Sequence, residues 1–248
     1  MLILLPSATQ HWETDATIWE RLRHPDIRKP VQNFFYRAVH GSLPTGSFWT
    51  NIPTLTHCAK CYHCDHTDES LEHILTDCPS LAAQTIWSLT RHTWPPSLGA
   101  WKEPSYGEIL ACGCLAPPGE HQDASPSAKG ASRLCMILLS ESAHLIWVLR
   151  CDRTINGAQH QESDIQTRWL HKITSHLDID RRAALSSHYP LSLPKMKHTG
   201  QCFLKHNQRL PDNWATHPEV LVGIKLPRPS AFFQGYLVVY GAPHILLT

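Results

Sequence analysis

Apolar residues recur at helical spacing in two short stretches near the N-terminus. The first covers residues 15–24, where Asp15 is a suitable cap, and the second runs from Pro30 to Gly41. Proline is favoured at the first helical position and glycine just past the last one. The apolar residues that share a face within each stretch are Ile18, Trp19 and Leu22, then Val31, Phe34, Phe35 and Ala38. The pattern predicts two short amphipathic helices.

Longer periodic stretches follow in the second half of the chain. A helix with a wide apolar face is predicted over residues 133–155, and a second helix with a narrow stripe over residues 162–179. The stripe residues are Ile165, Trp169, Ile173 and Leu177, spaced by four. Because these helices are adjacent in sequence and both carry an apolar face, we expect a helical hairpin. A further helix is predicted over residues 81–94, and strand-like segments over 220–226 and 236–240.

Proline, glycine and serine are concentrated between residues 95 and 132, which predicts a linker or long loop. This segment divides the chain into an N-terminal region, residues 1–94, and a C-terminal helical region, residues 133–228. A tail of unknown origin, residues 229–248, follows.

Composition limits the classes of function. The formal net charge is +1, so any contact with a polyanion must be local. We find neither an export signal nor an apolar run of about 18 residues, and therefore expect an intracellular chain without a membrane partner, in the nucleus or the cytoplasm. An odd number of cysteines, nine, fits a disulfide framework poorly.

Four of the cysteines lie between residues 58 and 78 and have the spacing of metal ligands. Cys61 and Cys64 form a C-x2-C pair, and His73 and Cys78 follow as H-x4-C. Three sulfurs and one nitrogen make a closed tetrahedral set, which is typical of structural zinc. Cys58 with Cys61 is a second C-x2-C pair that would give the same local fold, so spacing alone leaves the ligand choice open.

The region also resembles a known family. Its motifs are Trp19, Phe34, Phe35, Phe48-Trp49, the Cys61 and Cys64 pair, Glu69-Ser-Leu-Glu-His73, Cys78-Pro79 and Trp87. Together they resemble the reverse transcriptase zinc-binding domain of non-LTR retroelements, which follows the reverse transcriptase and RNase H domains. The similarity extends over about residues 12–228 in the long form found in fungal retroelement-derived proteins. It implies the ligands Cys61, Cys64, His73 and Cys78. Cys58, the alternative ligand that the spacing allows, is an extra thiol relative to the family pattern.

No catalytic set accompanies the zinc motif. We find no cluster of carboxylates for RNase H or polymerase chemistry, no H-E-x-x-H and no deaminase pattern, so we do not expect an enzyme. The predicted fold is mainly α: a small zinc-organised helical module followed by a helical hairpin, with minor β structure and long irregular loops.

The resemblance implies contact with RNA or DNA, and the basic residues near the N-terminus are the candidates. They are Arg21, Arg23, Arg28, Lys29 and Arg37. Two alternatives stay open: a structural or protein-interaction module stapled by zinc, with the upstream reverse transcriptase and RNase H domains as partners, or a decayed retroelement fragment without selected function.

Overall fold

The computed structural model describes residues 3–4, 12–13, 15–64, 66–115, 126–185 and 193–202. The fold is mainly α, as predicted. A two-residue antiparallel ladder pairs Ile3–Leu4 (β1) with Trp12–Glu13 (β2). The predicted strands over 220–226 and 236–240, and the tail 229–248, lie outside the described residues.

The first two helices occur where the sequence predicts them, at Asp15–Leu22 (α1) and Lys29–Val39 (α2). Ile18 and Leu22 of α1 are buried, as is the predicted apolar face of α2. Gly41 has a φ of +60°, the left-handed conformation that glycine adopts without a steric penalty, so the chain leaves α2 at this position.

A third helix, Leu81–Thr93 (α3), begins after Ser80, whose hydroxyl accepts a hydrogen bond from the Ala83 amide at 3.2 Å. Serine is a preferred N-cap because its side chain satisfies an amide that has no partner in the first turn. Pro95 and Pro96 then prevent continuation.

The predicted linker contains packed structure. It holds a short helix, Tyr106–Leu110 (α4), in which Ser105 and Glu108 form a reciprocal capping box. Ile109 and Leu110 are almost completely buried in the hydrophobic core. The following long helix, Pro126–Asn156 (α5), also begins seven residues earlier than predicted, at 126 instead of 133. Residues 116–125 lie outside the described part of the chain.

Helix α5 is the central element of the core. It contacts α2, α3, α4, Glu162–Leu185 (α6) and Leu193–Cys202 (α7). Leu134, Ile137 and Leu145 are each 0% exposed. Gly130 permits a close approach of α7, since a Cβ at this position would lie 2.5 Å from the His198 carbonyl oxygen. One hydrophobic cluster includes apolar residues from both predicted regions, so their cores are continuous.

Part of α5 is more apolar than the sequence analysis recognised. By length and composition, Ala128–Asn156 could cross a membrane, with a mean hydropathy of 1.5 in its most apolar window. Within the structure 78% of that window is buried. A core helix passes the same test, and the packing around α5 is of that kind.

Helices α5 and α6 form the predicted hairpin, and α6 also packs on α3. Its stripe residues Ile165, Trp169, Ile173 and Leu177 are all buried. The Trp169 indole donates a hydrogen bond to the Ser142 hydroxyl of α5 at 2.9 Å. This polar contact satisfies the indole N–H inside the core, as a buried tryptophan requires.

Candidate metal centre

The structure brings Cys61, Cys64, His73 and Cys78 together. Their ligand atoms all lie within 4.8 Å of one another. The Cys61 and Cys78 sulfurs are 3.5 Å apart, and the Cys64 sulfur is 3.3 Å from His73 Nε2. A tetrahedral zinc with Zn–S near 2.3 Å and Zn–N near 2.0 Å separates its ligands by roughly 3.5 to 3.8 Å. The set is therefore compatible with zinc.

Cys61 and Cys64 lie on a tight loop that follows a 3₁₀ segment, Pro53–Ala59. The Cys61 amide donates to the His66 carbonyl at 2.9 Å and closes the loop. The His63 amide points at the Cys61 sulfur, 3.4 Å away. This contact helps to hold the Cys61 sulfur in place within the loop.

His73 and Cys78 are brought together by a π-type turn, His73–Asp77. In a regular α-helix, residues five apart lie about 140° apart around the axis, so their side chains diverge. The wider turn brings the residue five positions later back toward the first. The Cys78 amide donates to the His73 carbonyl at 2.7 Å, the hydrogen bond that defines such a turn.

Three of the four ligands are buried. Cys61, His73 and Cys78 are 2%, 5% and 8% exposed, whereas Cys64 is exposed. Burial, together with the neighbouring Cys61, raises the pKa of the Cys78 thiol to about 12. Burial also lowers the pKa of His73, which favours the neutral imidazole that a metal needs. A metal ion at this site must displace the thiol protons.

Cys58 does not belong to the four-residue cluster. It is partly buried on the 3₁₀ segment and lines an open cleft beside the loop. The geometry therefore favours the Cys61 and Cys64 pair over the alternative pair of Cys58 with Cys61.

Glu69 connects the ligand loop to α5. Its side chain is 3% exposed, and its carboxylate accepts a hydrogen bond from Arg150 Nε at 2.9 Å and one from Arg153 Nη2 at 3.1 Å. Its amide donates to the Ala59 carbonyl at 2.9 Å. Arg150 also donates to the Pro44 carbonyl at 3.1 Å. The sequence analysis noticed Glu69 only as part of the family motif and did not identify these partners.

The predicted nucleic-acid-contacting residues differ in their surroundings. Arg21, Arg23, Lys29 and Arg37 are exposed. Arg28 is partly buried, and its guanidinium donates to both carboxylate oxygens of Glu141. His176 also lies beside this carboxylate, with Nδ1 3.0 Å from Oε1. The N–H groups of Arg28 are therefore occupied by a buried carboxylate. This corrects the prediction that Arg28 contacts phosphate.

Surface aromatic side chains lie between α1 and α2 near these cations. The Trp19 ring stacks on His40 with centroids 4.8 Å apart, and Tyr36 contacts both rings. Tyr36 is 48% exposed. The sequence analysis assigned no role to Tyr36 or His40, although their spacing of four on one helix face was visible.

The remaining described cysteines are free thiols. Cys112 is buried and its pKa is raised by burial, and burial likewise raises the pKa of Cys135 to about 12. Buried thiols with a raised pKa are neutral and typically serve as packing residues.

In comparisons with known proteins, no family model, no curated protein and no solved structure matches the chain. The cluster of Cys61, Cys64, His73 and Cys78 is therefore the main indication of function.

Proposed function

We propose that this chain is a non-catalytic zinc-binding module, derived from a retroelement reverse transcriptase polyprotein, that contacts nucleic acid. The observation that carries the proposal is the closed set of Cys61, Cys64, His73 and Cys78 within 4.8 Å. Three thiolates and one imidazole are the donor set of structural zinc sites. The motif resemblance supplies the proposed origin.

The donor set supports a role without turnover. Catalytic zinc sites keep one position for water or substrate, whereas four protein ligands occupy every position of a tetrahedral ion. When bound, the metal supplies a rigid cross-link between the loop at residues 61–64 and the turn at 73–78. Such a link stabilises elements that are too short to persist alone.

The exposed cations of α1 and α2 support contact with nucleic acid. Arg21, Arg23, Lys29 and Arg37 are exposed. The aromatic cluster consists of Trp19 on α1, Tyr36 on α2 and His40 just past the end of α2. Cations bind the phosphate backbone, and aromatic rings stack on unpaired bases. Either RNA or DNA fits these contacts.

Metal analysis tests the zinc part of the proposal. We expect about one zinc per chain in the parent protein and loss of that zinc in the Cys64→Ser, His73→Ala variant. The free energy of metal binding, which is coupled to folding of the module, should be on the order of 10 kcal/mol. Parent protein that folds without bound metal would contradict the zinc assignment.

The proposed contact with nucleic acid is tested by measuring binding to mixed RNA and DNA at several salt concentrations. The Arg23→Ala, Lys29→Ala variant should bind more weakly and with a shallower salt dependence than the parent. The Lys102→Ala, Lys129→Ala variant removes the same charge from other exposed positions and should bind like the parent. Equal loss in both variants would indicate nonspecific attraction.

A structural role is the second candidate, and the buried pair of Glu69 with Arg150 favours it because this pair fastens the ligand loop to the core helix. In that case the zinc-loaded protein binds no nucleic acid and associates with a reverse transcriptase fragment in a salt-insensitive manner. A decayed fragment would instead fail to fold with zinc.

A further inference from the structure

An open cleft of about 840 Å³ lies beside the ligand loop. One wall is formed by residues around the Cys61 and Cys64 loop, and the other by the C-terminal end of α5 and the connection to α6. Gly157, with a φ of +67°, ends α5 at this wall. The cleft is adjacent to the candidate metal centre, and a molecule can occupy it while all four ligand residues stay in place.

The charged side chains of the cleft are mostly cationic. Lys60, Arg150 and Arg153 line it, and Glu69 is the one carboxylate among the lining residues. Both oxygens of Glu69 are already occupied by Arg150 and Arg153. Three thiolates on a divalent ion carry a net negative charge, and the lining keeps a positive excess even after that charge is counted. The cleft therefore favours an anion.

Tyr62 projects from the loop at the edge of this cleft. Its side chain is 74% exposed, the most exposed large hydrophobic residue in the described part of the chain. The Arg153 guanidinium carbon lies over the ring, 5.0 Å from its centroid, so a cation orients the ring while most of its surface stays exposed. An exposed ring held in this way is a stacking platform beside a cationic wall.

We infer that the cleft binds an unpaired segment of RNA or DNA, with a base stacked on Tyr62 and a phosphate on Lys60. The inference rests on the proposed nucleic-acid function and deepens it by naming the site and the form of the ligand. Bases of a duplex are stacked on one another and cannot stack on a side chain. An acidic peptide would satisfy Lys60 but makes no use of the Tyr62 ring.

The test is fluorescence anisotropy with the full zinc-loaded chain and a labelled strand of about ten nucleotides, a length within the usual range for one site. Single-stranded RNA, single-stranded DNA and the corresponding duplexes are compared. Tyr62→Ala should weaken single-strand binding by roughly tenfold, and Tyr62→Phe should bind like the parent because the ring is kept. Lys60→Ala should reduce the slope of log K against log salt by about 0.7.

Matched controls are available elsewhere on the surface. Phe48→Ala removes an aromatic ring that is 51% exposed, and Lys102→Ala removes an exposed cation. Neither residue lines the cleft, and both variants should bind like the parent. Zinc content and circular dichroism of every variant establish that the fold is retained.

Each unfavourable outcome has a distinct meaning. Zinc-dependent binding that is insensitive to Tyr62→Ala and Lys60→Ala overturns the cleft assignment and leaves the proposed function standing. Equal affinity for duplex and single strand overturns the preference for unpaired bases. No binding to any nucleic acid overturns both, and competition by an acidic peptide that survives Tyr62→Ala assigns the cleft to a protein partner.

Discussion

The carboxylate of Glu69 is buried against the guanidinium of Arg150, 81 positions later in the sequence. Glu69 stands between the two halves of the metal-ligand set, and Arg150 belongs to the central core helix. Both side chains are at most 5% exposed. An ion pair removed from water in this way is costly to break, because the remaining charge is left without a partner.

We expect Glu69→Gln to destabilise the zinc-loaded protein by about 3 to 5 kcal/mol, because it removes the charge that compensates Arg150. Denaturant unfolding with zinc in excess measures the change. The matched control is Glu103→Gln, since Glu103 pairs with Arg91 on the surface and both are more than half exposed. Its effect should stay within about 0.5 kcal/mol. Equal losses in the two variants would contradict the anchoring role of Glu69.

Serine substitutions at Cys58 and Cys61 distinguish the two possible cysteine pairs. Cys58→Ser should retain about one zinc per chain, because Cys58 lies outside the cluster, and Cys61→Ser should lose the tightly bound metal. Elemental analysis after dialysis against a weak chelator gives the stoichiometry. Retention of zinc by Cys61→Ser together with its loss from Cys58→Ser would reverse the assignment.

Arg28 and Lys29 are neighbours in sequence, but their substitution is expected to change stability by very different amounts. Arg28→Ala leaves the buried Glu141 carboxylate with His176 alone and should cost about 3 kcal/mol. Lys29→Ala removes an exposed contact to Gln32 and should change stability by less than about 0.5 kcal/mol. Thermal or denaturant unfolding separates them. If Arg28→Ala lowers the free energy of unfolding only slightly, the pair of Arg28 with Glu141 contributes little to stability.

Glu141 also predicts a pH dependence. Burial opposes its ionisation, but hydrogen bonds from Arg28 and His176 hold its pKa at about 2, below its ordinary value of 4.5. The folded state thus favours the carboxylate, so this stabilisation is present above pH 4.5 and is lost as the pH falls toward 2. Its size is on the order of 3 kcal/mol.

The corresponding measurement compares the parent with Glu141→Gln across this pH range. The difference in unfolding free energy should be largest near neutral pH and shrink below pH 4.5, because the parent carboxyl group becomes protonated. Zinc release in acid affects both proteins and cancels in the difference. A difference that stays constant down to pH 2 would assign the cost to packing instead.

Local patterns accounted for most helices. The apolar face of α2, with Val31 and Phe35 buried, and the stripe of α6 around Trp169 follow directly from helical spacing. Helix α4 was missed although Ser105 and Glu108 carry a capping-box signal. The surrounding prolines and glycines obscured that signal, and so a packed segment was interpreted as a linker.

The cluster of Cys61, Cys64, His73 and Cys78 was predictable because its spacing is local, but the contacts that hold these residues were not. The pair of Arg28 with Glu141 joins residues 113 positions apart. Arg150 and Arg153 are much nearer to Glu141 in sequence and lie on the same helix. Those arginines contact Glu69, because the fold places the ligand loop against the end of α5. Charge composition alone does not specify such long-range partners.

Cys64 is the one exposed sulfur among the four ligands. A competing chelator or an oxidant approaching from solvent meets this thiolate first, whereas the other three donors are shielded by the core. In a metal-loaded site, exchange of the ion would start at Cys64, on the outer side, while the three inner donors would hold the metal. One accessible atom would then set the lifetime of the complex, whereas its affinity would reflect all four donors.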